Sequence, residues 1–308
     1  MIITFGSINV DLIFSMSKMP KRGQTLLAES FRTEAGGKGA NQAVAAARDG
    51  AEVVMVGAVG EDPMAAIALQ YLQGTVDVSR VARVSVPTGC ASIFIDGEGH
   101  NMIAVASGAN MHASSDAVDD LLLEGGAVVL IQMENELSQI EKLIRRCKDF
   151  DARAILNLAP AIHVEPKMLS SCYLIVVNED EARALAEWLG CGASARQLAN
   201  KLNTGVLRTL GSKGAEAFMH GREVKISARP VNAVDTTAAG DCFVGVLASA
   251  LDRGLSLEAA MQRASTAAAI ACSRFGSQSS IPFSAETDTF QTAVGRLVGP
   301  LTLLNSDR

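Results

Sequence analysis

Along most of the chain, short runs of consecutive apolar residues alternate with longer stretches in which apolar residues recur every three or four positions. The runs 51–57 (AEVVMVG), 127–133 (AVVLIQM), 153–158 (RAILNL) and 173–177 (YLIVV) predict strands buried on both faces. The stretches 40–50, 137–147, 180–190 and 257–274 predict helices, the first and third closed by Gly50 and Gly190. Such alternation predicts an α/β fold with a mainly parallel central sheet between two helical layers. Two segments break the pattern, from about 12 to 33 and from about 86 to 106; both read as extended and turn-rich. The second contains ASIFIDGEGHNMIAVA, two short strands around a Gly-rich turn. Together they predict a small β insertion beside a single α/β domain over 1–308, with no linker and no internal repeat.

Composition narrows the class. Of 308 residues, 48% are hydrophobic and 19% charged, with a net charge of −6, as in a soluble globular protein. No basic run points to nucleic acid or to an anionic membrane surface. The N-terminus enters an apolar run at Ile2 without the features of a signal peptide, and no apolar stretch is long enough to span a bilayer. The six cysteines lack C-x-x-C spacing and the four histidines do not cluster with them. Reduced thiols, no zinc site and a cytoplasmic setting are therefore expected.

Six stretches could carry chemistry. In VDTTAAGDCFVG (234–245) a helix is expected from about Ala239 to Arg253. The amides of Ala238, Ala239, Gly240 and Asp241 would lie at its N-terminus, where unpaired donors and the macrodipole favour an anion. Asp241 would be an acceptor ready to take a proton from an attacking hydroxyl. A plain helix start with an acid in its first turn explains this stretch alone equally simply, and Cys242 beside it reads as packing. EAGGKGANQA (34–43) suggests backbone held close to a ligand; Lys38 is followed by Gly39, so it is not a Walker A loop. In FGSINVDL (5–12), Asn9 and Asp11 share one face of an extended segment at the end of the first strand, suited to a vicinal diol or to a turn. Glu134 in QMENE would project from a strand's C-terminal end. In VVNEDEA (176–182), Asn178 and Glu181 could hold hydrated Mg²⁺ and a phosphate oxygen, or simply cap a helix. TLGSKGA (209–215) is a Gly-rich turn open to a nucleotide or to no ligand. Most of these fall where a parallel sheet builds its site, and together they supply the parts of a phosphoryl transfer.

The ordered set GSINVD, GGKGANQAVAAAR, GEGHN, SGAN, LNLAPA, NEDEA, TLGSKG and VDTTAAGDCFVG resembles the ribokinase family of PfkB-type sugar kinases, closest to its ribokinase branch, from about residue 3 to 283. The resemblance implies a three-layer α/β/α core with a β-sheet lid formed by about 12–33 and 86–106. It implies transfer of the γ-phosphate of ATP to the 5-hydroxyl of D-ribose, with fructose, 2-deoxyribose or a nucleoside such as adenosine as alternative acceptors. A non-catalytic sugar or nucleotide sensor is the alternative of another class. Carried over by position, Asn9, Asp11, Gly37, Lys38, Asn41 and Glu134 would hold the sugar and Asp241 would be the base, with Ala238, Ala239 and Gly240 forming the anion hole. Asn178, Thr209, Gly211, Gly214, Gly240 and Ser265 would meet ATP, and Glu181 would serve Mg²⁺ through water. K⁺ would lie by Asp235, Thr237, Ala271, Arg274, Gly276 and Ser280. Thr237 and Ser265 depart from the family's usual residues. A homodimer joined through the lid is expected, because paired lids cover each other's open strand edges.

Overall fold

The computed structural model describes residues 1–98 and 100–297. Of the single domain expected over 1–308, Gly99 in the Gly-rich turn and residues 298–308 lie outside them. Thirteen strands are present among the described residues: β1 (Ile2–Phe5), β2 (Asn9–Ser15), β3 (Ser30–Gly36), β4 (Val53–Gly60), β5 (Asp77–Val84), β6 (Gly89–Ile95), β7 (Asn101–Ala106), β8 (Val128–Ile131), β9 (Arg153–Asn157), β10 (Leu174–Val177), β11 (Gly205–Thr209), β12 (Ala215–Met219) and β13 (Arg222–Ile226).

Nine of them form one sheet in the order β13-β12-β11-β10-β9-β8-β1-β4-β5. Pairing is parallel from β5 through β11 and antiparallel at β12 and β13. Every residue of β1, β4, β8 and β10 is buried, as the unbroken apolar runs require of strands covered on both sides. Alternate residues feed opposite faces. Ile2, Val128 and Ile155 pack with the helices Lys38–Arg48, Ala239–Asp252 and Leu257–Cys272. Ile3, Val129 and Ala154 pack with the helices Leu137–Asp149, Glu179–Leu189 and Ala195–Leu202. Gly50 and Gly190 follow their helices at φ 102° and 62°, the left-handed closure expected of them. The edge strand β5 was not foreseen, because DVSRVARV leaves half its positions accessible and has no apolar run.

The remaining four strands form a separate sheet, β3-β2-β6-β7, in which only the β2–β6 pair is parallel. Here one expectation is corrected. Asn9 and Asp11 do not end the first strand; they lie at the start of β2 in the small sheet, separated by Gly6, Ser7 and Ile8 from the end of β1 at Phe5. The apolar run IITFGSINVDLIF conceals this change of sheet. Among the described residues, no helix is long and apolar enough to cross a membrane.

Candidate active site

The Ala239–Asp252 helix starts without a side-chain cap, and Ala238 before it is left-handed at φ 57°. Such a conformation costs a non-glycine residue about 1–2 kcal/mol, so the surrounding packing holds the turn. The Ala239 N–H donates to the Thr236 carbonyl at 3.2 Å, which removes it from the expected anion hole. The amides of Ala238, Gly240 and Asp241 have no acceptor among the described residues. Gly240 faces open space: nothing lies within 4 Å of where a side chain would begin. Asp241 is 8% exposed, and each of its oxygens accepts one side-chain amide, Oδ2 from Asn41 Nδ2 at 2.9 Å and Oδ1 from Gln42 Nε2 at 3.0 Å. An ionised carboxylate has about four acceptor sites, so room remains for a hydroxyl.

The donors come from the Lys38–Arg48 helix, whose N-terminus crosses the end of β1 with backbone against backbone. A Cβ on Gly39 would lie 2.6 Å from Gly6 Cα. The same helix carries Lys38, whose ammonium is held above its usual range by the Asp241 carboxylate, against the opposing effect of burial. Glu134 accepts from Ser7 Oγ at 2.5 Å and from the Lys38 N–H at 3.5 Å. Asn9 Oδ1 accepts from Asn110 Nδ2 at 2.7 Å, and the Asn9 backbone runs beside Gly37. Burial, reinforced by Glu34, Glu134 and Asp241 and opposed by Lys38, pushes the Asp11 carboxyl up to about 7. The structure thus gathers Asn9, Asp11, Gly37, Lys38, Asn41 and Glu134 around the start of the Lys38–Arg48 helix, next to Asp241.

A cleft of about 160 Å³ beside Lys38 and Asp241 is lined also by Asn157, Asn178, Glu181 and Gly240. It adjoins a cavity of about 540 Å³ that Thr209, Gly211, Gly214, Phe243 and Ser265 help to line, and Thr209 and Gly240 belong to both. Asn178 and Glu181 form a capping box, with Asn178 Oδ1 accepting from the Glu181 N–H at 2.8 Å and Glu181 Oε2 from the Asn178 N–H at 2.7 Å. Burial raises the Glu181 carboxyl above its usual range. Among the described residues no three His, Cys, Asp or Glu side chains cluster as a metal cage. The carboxylates of Glu181 and Asp241 lining this cleft nevertheless suit magnesium, which keeps its water and leans on phosphate oxygens. The Cys242 thiol is fully buried, and burial pushes it well up, so it is packing.

The positions assigned to K⁺ lie on the loop before the Ala239–Asp252 helix, in the last turn of the Leu257–Cys272 helix (Ala271) and on the loop after it, and the two loops are tied by Asp235, whose oxygens accept the N–H of Thr237 at 2.9 Å and of Gly276 at 3.1 Å. A carboxylate joining two turns of backbone suits a weakly held monovalent cation. The Ala271 carbonyl already accepts the Arg274 N–H, the Arg274 side chain pairs with Glu286, and the Ser280 hydroxyl donates to the Ser277 carbonyl.

Sequence reasoning passed over Gln42, Gln132, Asn157, Asn110 and Gln278, all buried polar residues near Asp241 or its neighbours. Gln132 and Asn157 stand at or just past the ends of apolar strands, a signal that could have been used: a polar residue there must find a partner inside.

A model of the pfkB family of carbohydrate kinases matches residues 1–284. A ribokinase of Haemophilus influenzae is 36% identical over 294 residues, covering 92% of this chain and 96% of that one. A deoxyribokinase of Salmonella typhi is 35% identical, covering 91% of this chain and 95% of that one. Among solved structures, Arabidopsis thaliana ribokinase complexed with ribose and ATP superposes with a TM-score of 0.84 at 29% identity, covering 94% of this chain and 97% of that one.

Proposed function

The chain belongs to the pfkB family of carbohydrate kinases, and from that membership we propose that it transfers the γ-phosphate of ATP to the 5-hydroxyl of D-ribose. The observation that carries this reading is Asp241, a buried carboxylate between hydroxyl-binding side chains and a cleft edged by free helix-terminal amides. As the 5-oxygen attacks the γ-phosphorus, its proton passes to Asp241, the new O–P bond forms and the bond to the β-phosphate oxygen breaks. The amides of Ala238, Gly240 and Asp241, with Lys38, face the charge that builds on the phosphoryl oxygens. The adenosine end of ATP takes the larger cavity, against Thr209, Gly211, Gly214 and Ser265, with Asn178 nearer the phosphates. Glu181 is the residue to hold Mg²⁺ through water, and the ion would offset phosphate charge there. Asp235 and the carbonyls around it would hold K⁺, which would stiffen the two loops beside the anion hole.

The small sheet serves as a lid over the sugar, keeping out water that would compete as nucleophile. Its β7 strand is solvent-facing throughout and exposes Met102, Ile103 and Val105, an apolar open edge that a second copy would cover. Light scattering at micromolar concentration is expected to show a dimer. A monomer would remove this part of the proposal. The six free cysteines suit a reducing cytoplasm.

A coupled ADP-release assay over ribose, 2-deoxyribose, fructose and adenosine, with and without potassium, tests the reading. Ribose is expected to give the highest kcat/KM. 2-Deoxyribose is the second reading, since the deoxyribokinase is nearly as similar as the ribokinase. Turnover of ATP that no sugar accelerates would leave a sensor instead.

A pH effect follows from Asp11. Sugar hydroxyls need its carboxylate as acceptor, yet burial holds the free group's pKa up at about 7. Below that pH the sugar must displace a proton. Apparent affinity should therefore be flat above pH 7 and fall by up to about tenfold per unit below it. Calorimetry at pH 6 in two buffers of different ionisation enthalpy should reveal proton release on sugar binding, lost in Asp11→Asn. Equal heats in both buffers would exclude this role.

A further inference from the structure

Gln42 is fully buried beside Asn41 and belongs to a chain of amides ending at Asp241. Its Nε2 donates to Asp241 Oδ1 at 3.0 Å and to Asn157 Oδ1 at 3.0 Å, and its Oε1 accepts from Gln132 Nε2 at 2.7 Å. A carboxylate only accepts, so the direction of the chain is fixed: Gln132 gives to Gln42, and Gln42 spends both N–H bonds on Asn157 and Asp241. Gln132 Oε1 has no partner and sits against Gly6, where a Cβ would lie 1.9 Å from it. The second oxygen of Asp241 is held the same way. Asn41 Nδ2 donates to it, while Asn41 Oδ1 accepts from Gln278 Nε2 at 3.1 Å. Each amide facing the carboxylate thus has its own oxygen tied by another amide, which prevents it from turning over.

We propose that Gln42, locked by Gln132, is a positioning residue that sets the plane of the Asp241 carboxylate, so that its remaining lone pairs meet the incoming hydroxyl. This rests on the reading of Asp241 as the base. Asn41 has been assigned to the sugar as well; Gln42 has no such second duty, so its loss should act on the chemical step and not on sugar affinity.

The test is steady-state kinetics, with thermal unfolding alongside, on Gln42→Met, Gln132→Met, Asp241→Asn and the double variant Gln42→Met/Asp241→Asn. The acceptor is whichever sugar ranks first in the ADP-release screen. Methionine keeps the side chain's length and removes the amide. Gln42→Met is expected to lower kcat about ten- to a hundredfold, as for a lost hydrogen bond to a charged group, with sugar KM changed less than about threefold. Gln132→Met should act in the same direction, less strongly. In the Asp241→Asn background Gln42→Met should cost nothing further, because the glutamine works through that carboxylate. If Gln42→Met does not fold, Gln42→Glu keeps the shape; its second carboxyl crowds Asp241, and the kcat–pH profile should move to higher pH. A near-normal kcat for Gln42→Met, an unmoved pH profile for Gln42→Glu, or an undiminished loss in the double variant would overturn the proposal. Near-normal kcat in Asp241→Asn alone would overturn the base assignment itself, a distinct result.

Discussion

Replacing Asp241 by Asn is expected to lower kcat by at least about two orders of magnitude, while ATP binding, followed by calorimetry, should stay close to that of the unaltered protein. The expected size comes from the ordinary contribution of a general base, about 10²- to 10⁴-fold. An asparagine fits the space but cannot take the proton. It also turns a group that accepts from Asn41 and Gln42 into one that must donate on one side, so one of two amide contacts at 2.9 and 3.0 Å is lost. The free amides of Gly240 and Ala238 remain, and so does much of the electrostatic contribution. Single-turnover kinetics isolates the chemical step, and a rate there close to that of the unaltered protein would leave Asp241 without its assigned role.

Gly39→Ala should be strongly damaging although it adds only one methyl group. A Cβ at this position would lie 2.6 Å from Gly6 Cα and from Ser7 N, both backbone, so neither neighbour can rotate away. Overpacking of this kind costs about 1–3 kcal/mol. The whole Lys38–Arg48 helix must shift to relieve it, carrying Lys38, Asn41 and Gln42 with it. Two readouts follow: a melting temperature lower by several degrees, and a sugar kcat/KM reduced by tenfold or more with nucleotide affinity largely kept. An alanine variant with unaltered melting and sugar kinetics would show that this crossing is not what places the helix.

The layered core was legible because its signals are local. Fully buried strands read as unbroken apolar runs, and Gly50 and Gly190 ended their helices where the pattern stopped. The letters of the site were legible too, but several of their partners were not. Gln42 follows Asn41 directly, and neighbours on a helix point about 100° apart, so periodicity gives the two different surroundings. Both reach Asp241 only because the Ala239–Asp252 helix starts between them, a tertiary fact. A side chain on Gly245 would meet the Gln42 carbonyl at 2.4 Å, which shows how tightly the two helices cross. The switch from β1 to β2 was hidden for a different reason: Gly6, Ser7 and Ile8 are all buried, so hydropathy does not mark the change of sheet. The loss of the Ala239 amide from the anion hole depends on the left-handed turn at Ala238, which a non-glycine residue does not announce.

The two sets of residues proposed around Asp241 are furnished by different halves of the chain. The residues proposed for the acceptor lie between Asn9 and Glu134, those for the donor between Asn178 and Ser265, and the halves touch chemically at Asp241 through Asn41 and Gln42. Recombination between related genes in the connection after the Leu137–Asp149 helix could therefore exchange the preferred sugar in one event. The ATP apparatus would be inherited whole, provided the incoming half again brings adjacent amides to that one carboxylate.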